Sequence, residues 1–218
     1  MDIDYDDFLA MFPMTQERPF SKEELAVLEA RVPESVLALL AKVGVASSKG
    51  FFFTLAPGEA DAQLETWGVN PAAVSPFLAT SFGLVIFATP SQVGAIDPFT
   101  GKGSLWEPAL ARHMVRMDLV HNFEQFEKRN LAAVGRDEVW AMHPPVKLGG
   151  HFGDGVGTES NVTFERERRE ASVIAQASLY GHRVKGLPKS VMLTKAARTS
   201  KAGPTTSGAT KPRTRRPG

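Results

Sequence analysis

The stretch Thr80–Gly101, TSFGLVIFATPSQVGAIDPFTG, decides the fold prediction. Two short apolar runs, Leu84–Thr89 and Val93–Asp97, are rich in β-branched and aromatic residues, and the Pro-Ser-Gln linker between them can turn the chain. This pattern predicts a β-hairpin. The first run is apolar at consecutive positions, which is typical of a strand covered on both faces. We therefore predict an α+β fold, in which this hairpin lies at the centre of a mixed or antiparallel sheet flanked by helices.

Helices and a strand are predicted upstream of the hairpin. Ser21 and Glu24 have the spacing of a capping box, which marks the start of a helix. A second helix, Pro33–Val43, has proline in its first turn and glycine just past its end, and its apolar composition predicts burial. The aromatic run Gly50–Leu55 predicts a strand, and Pro57–Trp67 predicts an amphipathic helix.

Further elements are predicted downstream of the hairpin. Leu105–Trp106 is typical of a short strand, Asp118–Leu131 has helical spacing of apolar residues, and Val139–Met142 predicts a strand that a Pro-Pro pair stops. The segment Gly149–Gly157 contains five glycines in nine residues. That many glycines cost too much backbone entropy for a regular element, so we predict a surface loop.

The last predicted helix, Thr163–Tyr180, ends at Gly181, and its predicted buried side consists of Ala171, Ile174, Ala175 and Ala177 or Ser178. The fold is predicted to end there as well. Residues 182–218 are rich in Lys, Arg, Thr, Ser, Gly and Pro and offer little to bury. This composition predicts a disordered basic C-terminal tail.

Charge is distributed unevenly along the chain. Residues 182–218 carry ten Lys or Arg and no acidic residue, which leaves residues 1–181 with 15 basic and 24 acidic residues, a net charge of −9. An acidic body repels nucleic acid and lipid head groups, and it favours encounters with basic partners.

The sequence offers no recognisable catalytic or metal-binding motif. The absence of cysteine excludes disulfides, thiolate zinc sites, iron–sulfur clusters and cysteine nucleophiles. The histidines are dispersed without metal-ligand spacing, and there is no GxSxG elbow and no phosphate-binding P-loop. We therefore predict neither a metal site nor a cofactor. No apolar run is long enough to span a membrane and no secretion signal is visible, so we expect a cytoplasmic protein.

The order of short motifs in both halves of the chain resembles that of a known family. The first half resembles the GAD-like domain found in bacterial immunity proteins; its matching segments are Val32–Leu40 with Gly44, Lys49–Phe53, Leu64–Trp67, Thr80–Gly83 and Ile96–Pro98. Asp137–Gly150 and the helix bearing Ile174–Gly181 resemble the C-terminal domain of immunity proteins that guard against type VI secretion DNase effectors. The resemblance implies two segments, 1–101 and 102–181, followed by the tail.

This resemblance implies a binding protein and not an enzyme. It would hold a toxin effector, a type VI secreted nuclease used in bacterial competition, in an inactive complex by covering its active site. The acidic body agrees with a basic nuclease as the partner. Candidate partner-binding residues are then the best concentrations of surface acids: Asp2, Asp4, Asp6, Asp7, Glu59, Asp61 and Glu65.

Two other function classes remain open at the level of the sequence. The chain is an enzyme if His143, Glu138 and Asp137 converge with a distant group. Alternatively, it is a general interaction module that contacts nucleic acid through the basic tail, because clustered Lys and Arg bind phosphates regardless of sequence.

Overall fold

A seven-stranded sheet forms the centre of the fold in the computed structural model. The structure describes residues 6–107, 119–152 and 159–194, without the side chains of residues 6–8. The strands follow chain order across the sheet, and all neighbours pair antiparallel. They are β1 (Thr15–Arg18), β2 (Val45–Ser48), β3 (Phe52–Thr54), β4 (Ser75–Thr80), β5 (Val85–Ala88), β6 (Val93–Asp97) and β7 (Lys102–Trp106). The predicted α+β class is confirmed.

The predicted hairpin is present as β5 and β6. Val85 pairs with Ile96 and Ala88 with Val93. The turn is closed by Thr89, whose backbone N–H donates to the carbonyl oxygen of Gln92 at 2.9 Å. The strand β4 occupies the middle of the sheet, so the hairpin lies directly beside the central strand.

Helices precede, interrupt and follow the strands. They are α1 (Asp6–Met11), α2 (Lys22–Glu29), α3 (Glu34–Val43), α4 (Asp61–Thr66), α5 (residues 119–128) and α6 (Arg169–Leu179). The capping box is confirmed, since Ser21 Oγ accepts from the Glu24 N–H at 3.1 Å and a Glu24 carboxylate oxygen accepts from the Ser21 N–H at 2.8 Å. The helix predicted for Pro57–Trp67 is shorter than expected. Within the described ranges, no helix has both the length and the apolarity to cross a membrane.

Both faces of this sheet carry a hydrophobic core. Ile86 and Ala88 of β5 join the front-face cluster, which includes buried side chains of α2, α3 and α5. Val85 and Phe87 join the back-face cluster, which includes buried side chains of α4 and α6. All four β5 side chains are buried. The prediction of a strand covered on both faces by helices is therefore confirmed.

A second sheet pairs β8 (Glu138–His143) with β9 (Thr163–Arg168) through six antiparallel residue pairs. The predicted helix Thr163–Tyr180 is wrong over its first six residues, because they form β9 and α6 begins only at Arg169. Glutamate and arginine favour helices, but pairing with β8 overrides that preference. Phe164 packs against the front-face cluster, and the Arg166 guanidinium lies 5.7 Å from the Trp140 ring.

The buried side of α6 also differs from the prediction. Val173 and Ala177 are buried, whereas the predicted Ala171, Ile174 and Ala175 are exposed, with Ile174 at 47%. The sequence pattern did not predict which residues of α6 face the sheet, because the helix starts six residues later than predicted. As a result, a large apolar side chain lies on the surface of α6.

The fold does not end at Gly181. Residues 182–194, called here the C-terminal strap, pack on the back-face cluster through the buried Val184 and Val191. The Val184 N–H donates to the Trp67 carbonyl at 3.0 Å, and the Leu193 N–H donates to the Gly68 carbonyl at 2.9 Å. The prediction of a disordered tail from residue 182 is therefore wrong for the strap. Residues 195–218 of that tail lie outside the described residues, as do residues 153–157 of the predicted glycine-rich loop.

The expected division between segments 1–101 and 102–181 falls in the turn between β6 and β7, which pair in one sheet. Two short 3₁₀ helices, Val146–Leu148 and Lys189–Val191, complete the described elements. The β4–β5 turn joins the two sheets, because the Trp140 N–H of β8 donates to the Ser81 carbonyl at 2.7 Å.

Candidate functional site

A groove of about 670 Å³ lies between α4 and α6, on the side of the back face. Its apolar wall comes from Leu55, Ala60, Ala62, Ala79, Val173 and Ile174. Its polar wall comes from Glu59, Gln63, Thr66, Arg136, Asp137, Arg168, Arg169 and Glu170. Pockets of this size and mixed lining are typical sites for ligands or for partner side chains.

Arg136 fixes one end of the groove by joining three strands. Its guanidinium donates to the Thr54 carbonyl at 2.6 Å and to the Ala46 carbonyl at 3.1 Å. It also forms ion pairs with Glu17 at 3.0 Å and Glu59 at 3.2 Å. The hydrogen bond from Arg136 lowers the pKa of Glu17, because it favours the charged carboxylate. Arg136 is therefore neutralised within the fold.

Arg169 lies beside Arg136 and is held by carbonyl oxygens. Its guanidinium donates to the carbonyls of Arg136 at 2.8 Å, Thr80 at 3.3 Å and Glu138 at 3.4 Å. Burial disfavours the charged form and lowers the pKa of Arg169 to about 10. The guanidinium carbons of both arginines lie 5.7 Å from the centre of the Phe53 ring, which adds a cation–π attraction.

The remaining polar groups of the groove are exposed or bonded locally. Arg168 forms an ion pair with Asp137 in which both side chains are more than 60% exposed, so it contributes little stability. The Thr66 hydroxyl donates to the Ala62 carbonyl at 2.8 Å. The lining includes neither serine nor histidine. Among the described residues, no group of three or more metal-ligating side chains is assembled.

Of the acids predicted on the helix Pro57–Trp67, Glu59 lines the groove, whereas Asp61 and Glu65 of α4 are not among the lining residues. Glu59 accepts a hydrogen bond from the Ala56 N–H at 2.8 Å and forms an ion pair with Arg136. Both carboxylate oxygens of Glu59 therefore already have partners within the fold. Asp61 is half-buried, and that burial raises its pKa. Glu65 is half-buried on the same helix.

The N-terminal acids lie elsewhere. Asp2 and Asp4 are outside the described residues, and Asp6 and Asp7 are in α1. Phe12, which directly follows α1, packs in the front-face cluster, whereas α4 packs on the back face. The described chain therefore follows α1 onto the front face at Phe12, whereas α4 packs on the back face.

The residues of the alternative catalytic hypothesis do not converge. His143 Nε2 lies 3.1 Å from a Glu167 carboxylate oxygen at one end of β8. Glu138 is at the other end, about 17 Å away at the rise of an extended strand, where it accepts from the Gly135 N–H. Asp137 pairs with Arg168. The arrangement that this hypothesis required is not present.

Sequence reasoning missed the two arginines that build the groove. Arg136 and Arg169 contact strands that are up to 90 residues away in the chain, so no local pattern signals their role. A weak signal did exist in the buried aromatic run that contains Phe53, because aromatic faces attract guanidinium groups. The aromatic run indicates where a guanidinium group can bind, but it does not indicate which arginine binds there.

Comparison with known proteins supports the fold. No protein-family model matches the chain. No curated protein matches it either. Among solved structures, the crystal structure of Atu4351 from Agrobacterium tumefaciens is similar, with a TM-score of 0.56 and 13% sequence identity, over 79% of this chain and 88% of that chain. At this identity the similarity concerns the fold alone, and the chain shares its α+β architecture with that protein.

Proposed function

We propose that the protein is a non-catalytic immunity protein. It binds a cognate toxin effector, a basic nuclease delivered by type VI secretion, and neutralises the toxin in the cytoplasm by covering its active site. The proposal is supported by the ordered resemblance of both halves of the sequence to the GAD-like domain and its companion C-terminal domain.

The observation that carries this proposal is the acidic character of residues 1–181, with a net charge of −9. Nucleases grip the phosphate backbone with basic surfaces. An acidic inhibitor is steered quickly to such a surface and opposes binding of DNA there. Affinities of nuclease–immunity pairs reach Kd values of about 10⁻¹³ M or below.

We assign toxin binding to the side of the molecule that carries α4. Asp61 is already partly desolvated, which raises its pKa, so a cation from a partner would offset the cost of its burial. Glu65 is on the same helix, and Glu170 is exposed at the start of α6 across the groove. Phe12, which directly follows α1, packs on the opposite face of the sheet, so we assign toxin binding to the α4 side alone.

The organisation of the groove supports binding over catalysis. Arg136 and Glu59 neutralise each other, and Arg169 is held by carbonyl oxygens. These groups shape a rigid surface, since each is fixed by contacts with strands. A rigid surface loses little conformational entropy when it binds a partner.

The proposal is tested by titrating the full chain into the product of the neighbouring upstream gene, prepared with a disabled active site. Calorimetry at about 50 mM and about 200 mM salt separates specific binding from screened surface attraction. We expect a one-to-one complex that persists at the higher salt. A noncognate basic protein serves as the control, and binding no tighter than to this control, by a correctly folded chain, would contradict the proposal.

A further inference from the structure

The helix α6 carries no charged side chain over most of its length. Residues Ala171–Leu179, with the sequence ASVIAQASL, contain no Asp, Glu, Lys or Arg. A helix on the surface of a globular fold normally presents charged residues to water, and a helix without them is normally covered. The composition of α6 therefore indicates that a further surface packs against it.

The uncovered side of α6 consists of small and apolar residues. The side that faces the fold contains the buried Ser172, Val173, Gln176 and Ala177. The opposite side, called here the outer face of α6, consists of the exposed Ala171, Ile174, Ala175 and Ser178. Their spacing of three and four positions places these four residues side by side on the helix. Water therefore contacts the face of α6 that is best suited to packing.

The orientation of α6 opposes the preferences of its own side chains. Gln176 is 7% exposed, and its Oε1 atom has no hydrogen-bond partner among the described residues, which costs free energy. Ile174 would gain free energy from burial but is exposed to solvent. The three carbonyls that hold Arg169 fix the helix in this orientation. Such a conflict between local preference and fold is typical of a functional surface.

The two ends of the outer face differ in chemistry. Glu170 is exposed in the first turn of α6, four positions before Ile174. At the other end, His182 Nε2 lies 3.2 Å from Ser178 Oγ, and the exposed Arg183 follows. Neither Glu170 nor Arg183 forms an ion pair with another described residue. The outer face therefore runs from an unpaired carboxylate to an imidazole and a guanidinium.

An occupant of this face has to match both ends as well as the apolar centre. Segment 195–218 contains seven basic residues and no acidic one, so it matches Glu170 and is repelled by Arg183. A uniformly basic surface of another protein has the same mismatch. A second copy of α6 in antiparallel orientation matches both ends, because its His182 and Arg183 meet Glu170 and its Glu170 meets the same pair in return.

The outer face also complements itself in shape. Helices pack when side chains of one fill the spaces between side chains of the other, with axes about 8–10 Å apart. In an antiparallel pair centred near Ile174 and Ala175, each Ile174 lies opposite the small Ala171, Ala175 and Ser178 of the second copy. A two-fold axis joins the same patch of both copies, so one large side chain among small ones meets its own complement.

We propose that two copies of the chain associate through the outer faces of α6, packed antiparallel about a two-fold axis near Ile174 and Ala175. Because α6 is about 16 Å long, the contact area is below the roughly 1,200 Å² of a stable complex, and the dimer is weak. Glu170 and Ile174 also line the groove, so the second copy covers part of one wall. Association concerns the free chain and is independent of the immunity function.

Sedimentation velocity of the full chain from about 1 to about 500 μM tests this association. We expect the average mass to rise reversibly from that of one chain toward that of two. The chain contains no cysteine, so single cysteine substitutions report proximity without interference. Ala175→Cys, next to the two-fold axis, should form disulfide-linked dimers in at least about tenfold higher yield than Val27→Cys, which is exposed on α2.

Two variants with altered charge test the antiparallel arrangement. Glu170→Lys alone and His182→Asp alone should each weaken self-association at least about tenfold, because like charges then meet at both ends. Aspartate tolerates the positive φ of 52° at His182. An equimolar mixture of the two variants should recover a dimer, since the new lysine of one chain then faces the new aspartate of the other.

The matched control is Glu34→Lys, in the first turn of α3, which should leave self-association unchanged. Circular dichroism checks that every variant retains the fold. A chain that stays monomeric over the whole concentration range, equal disulfide yields for the two cysteine variants, or an equimolar mixture that does not associate would overturn the proposal.

Discussion

The Arg169 guanidinium donates to the carbonyl oxygen of Thr80 at 3.3 Å, which joins the first residue of α6 to the last residue of β4. The same guanidinium donates to the carbonyls of Arg136 and Glu138, at the start of the second sheet. One side chain thus connects the main sheet, the groove and the second sheet. It positions α6, and with it one wall of the candidate site.

Replacing Arg169 by Met should destabilise the protein by about 3 kcal/mol, because three carbonyl acceptors lose a charged donor in a partly buried place. Urea unfolding measures this as a lower midpoint with an unchanged m-value. The matched control is Arg168→Met, the neighbouring arginine with a side chain that is 72% exposed, which should change stability by less than about 0.5 kcal/mol. Equal effects of the two substitutions would show that Arg169 has no bridging role.

The C-terminal strap should contribute to stability as part of the fold. Val184→Ala removes buried methyl groups from the back-face cluster, where Val184 is 3% exposed, and should cost about 2 kcal/mol. Val27→Ala is the matched control, because Val27 is 48% exposed on α2 and should change stability by less than about 0.5 kcal/mol. Indistinguishable thermal unfolding curves for the two variants would mean that the strap does not stabilise the fold.

The N-terminus of α2 should be sensitive to acid. Arg18, together with the Ser21 N–H, lowers the pKa of Glu24 from 4.5 to about 2. A carboxylate whose pKa is lower in the folded state stabilises the fold above its unfolded pKa, and this stabilisation is lost as the pH falls through the folded pKa. We therefore expect a loss of stability between about pH 4.5 and pH 2 that is smaller in Glu24→Gln.

Chemical unfolding from pH 2 to pH 6 checks this prediction. Glu29→Gln, at the other end of α2, is the control and should follow the wild-type pH profile. An unchanged profile in Glu24→Gln would contradict the assignment of this titration to the capping box.

Phe12, directly after α1, packs on the front face of the sheet and α4 packs on its back face, so the acids of these two helices can be tested separately. Reversing the charge of Asp61 and Glu65 should slow association with the toxin about tenfold or more at low salt and reduce the salt dependence of the rate. Reversing Asp6 and Asp7 on α1 adds the same net charge change on the other side and should have a smaller effect. Stopped-flow association rates distinguish the two, and equal effects would contradict the assignment of α4 to the toxin.

The local elements of the fold follow from the sequence because their signals are local. The β5–β6 hairpin, the capping box at Ser21 and the end of α3 at Gly44 depend on residues within a few positions of each other. At Gly44 the constraint is steric as well, since φ is 69° and a Cβ atom would lie 2.4 Å from the Arg18 carbonyl oxygen. Such features are encoded by neighbouring residues.

The parts that could not be predicted depend on distant contacts. The segment TFERER has helix-favouring residues, and only its pairing with β8 makes it a strand. The strap contains few apolar residues, yet Val184 and Val191 are buried because they pack against the back-face cluster. The groove depends on Arg169 reaching a carbonyl 89 residues away. None of these contacts leaves a periodic pattern in the sequence.

The most direct test of the proposed function is the nuclease activity of the neighbouring gene product, measured on DNA while the full chain is added in increasing amounts. If the chain is an immunity protein, activity should fall linearly and vanish at one equivalent, as expected for tight one-to-one binding. Full activity at a tenfold excess of chain, with circular dichroism showing an intact fold, would contradict the proposal.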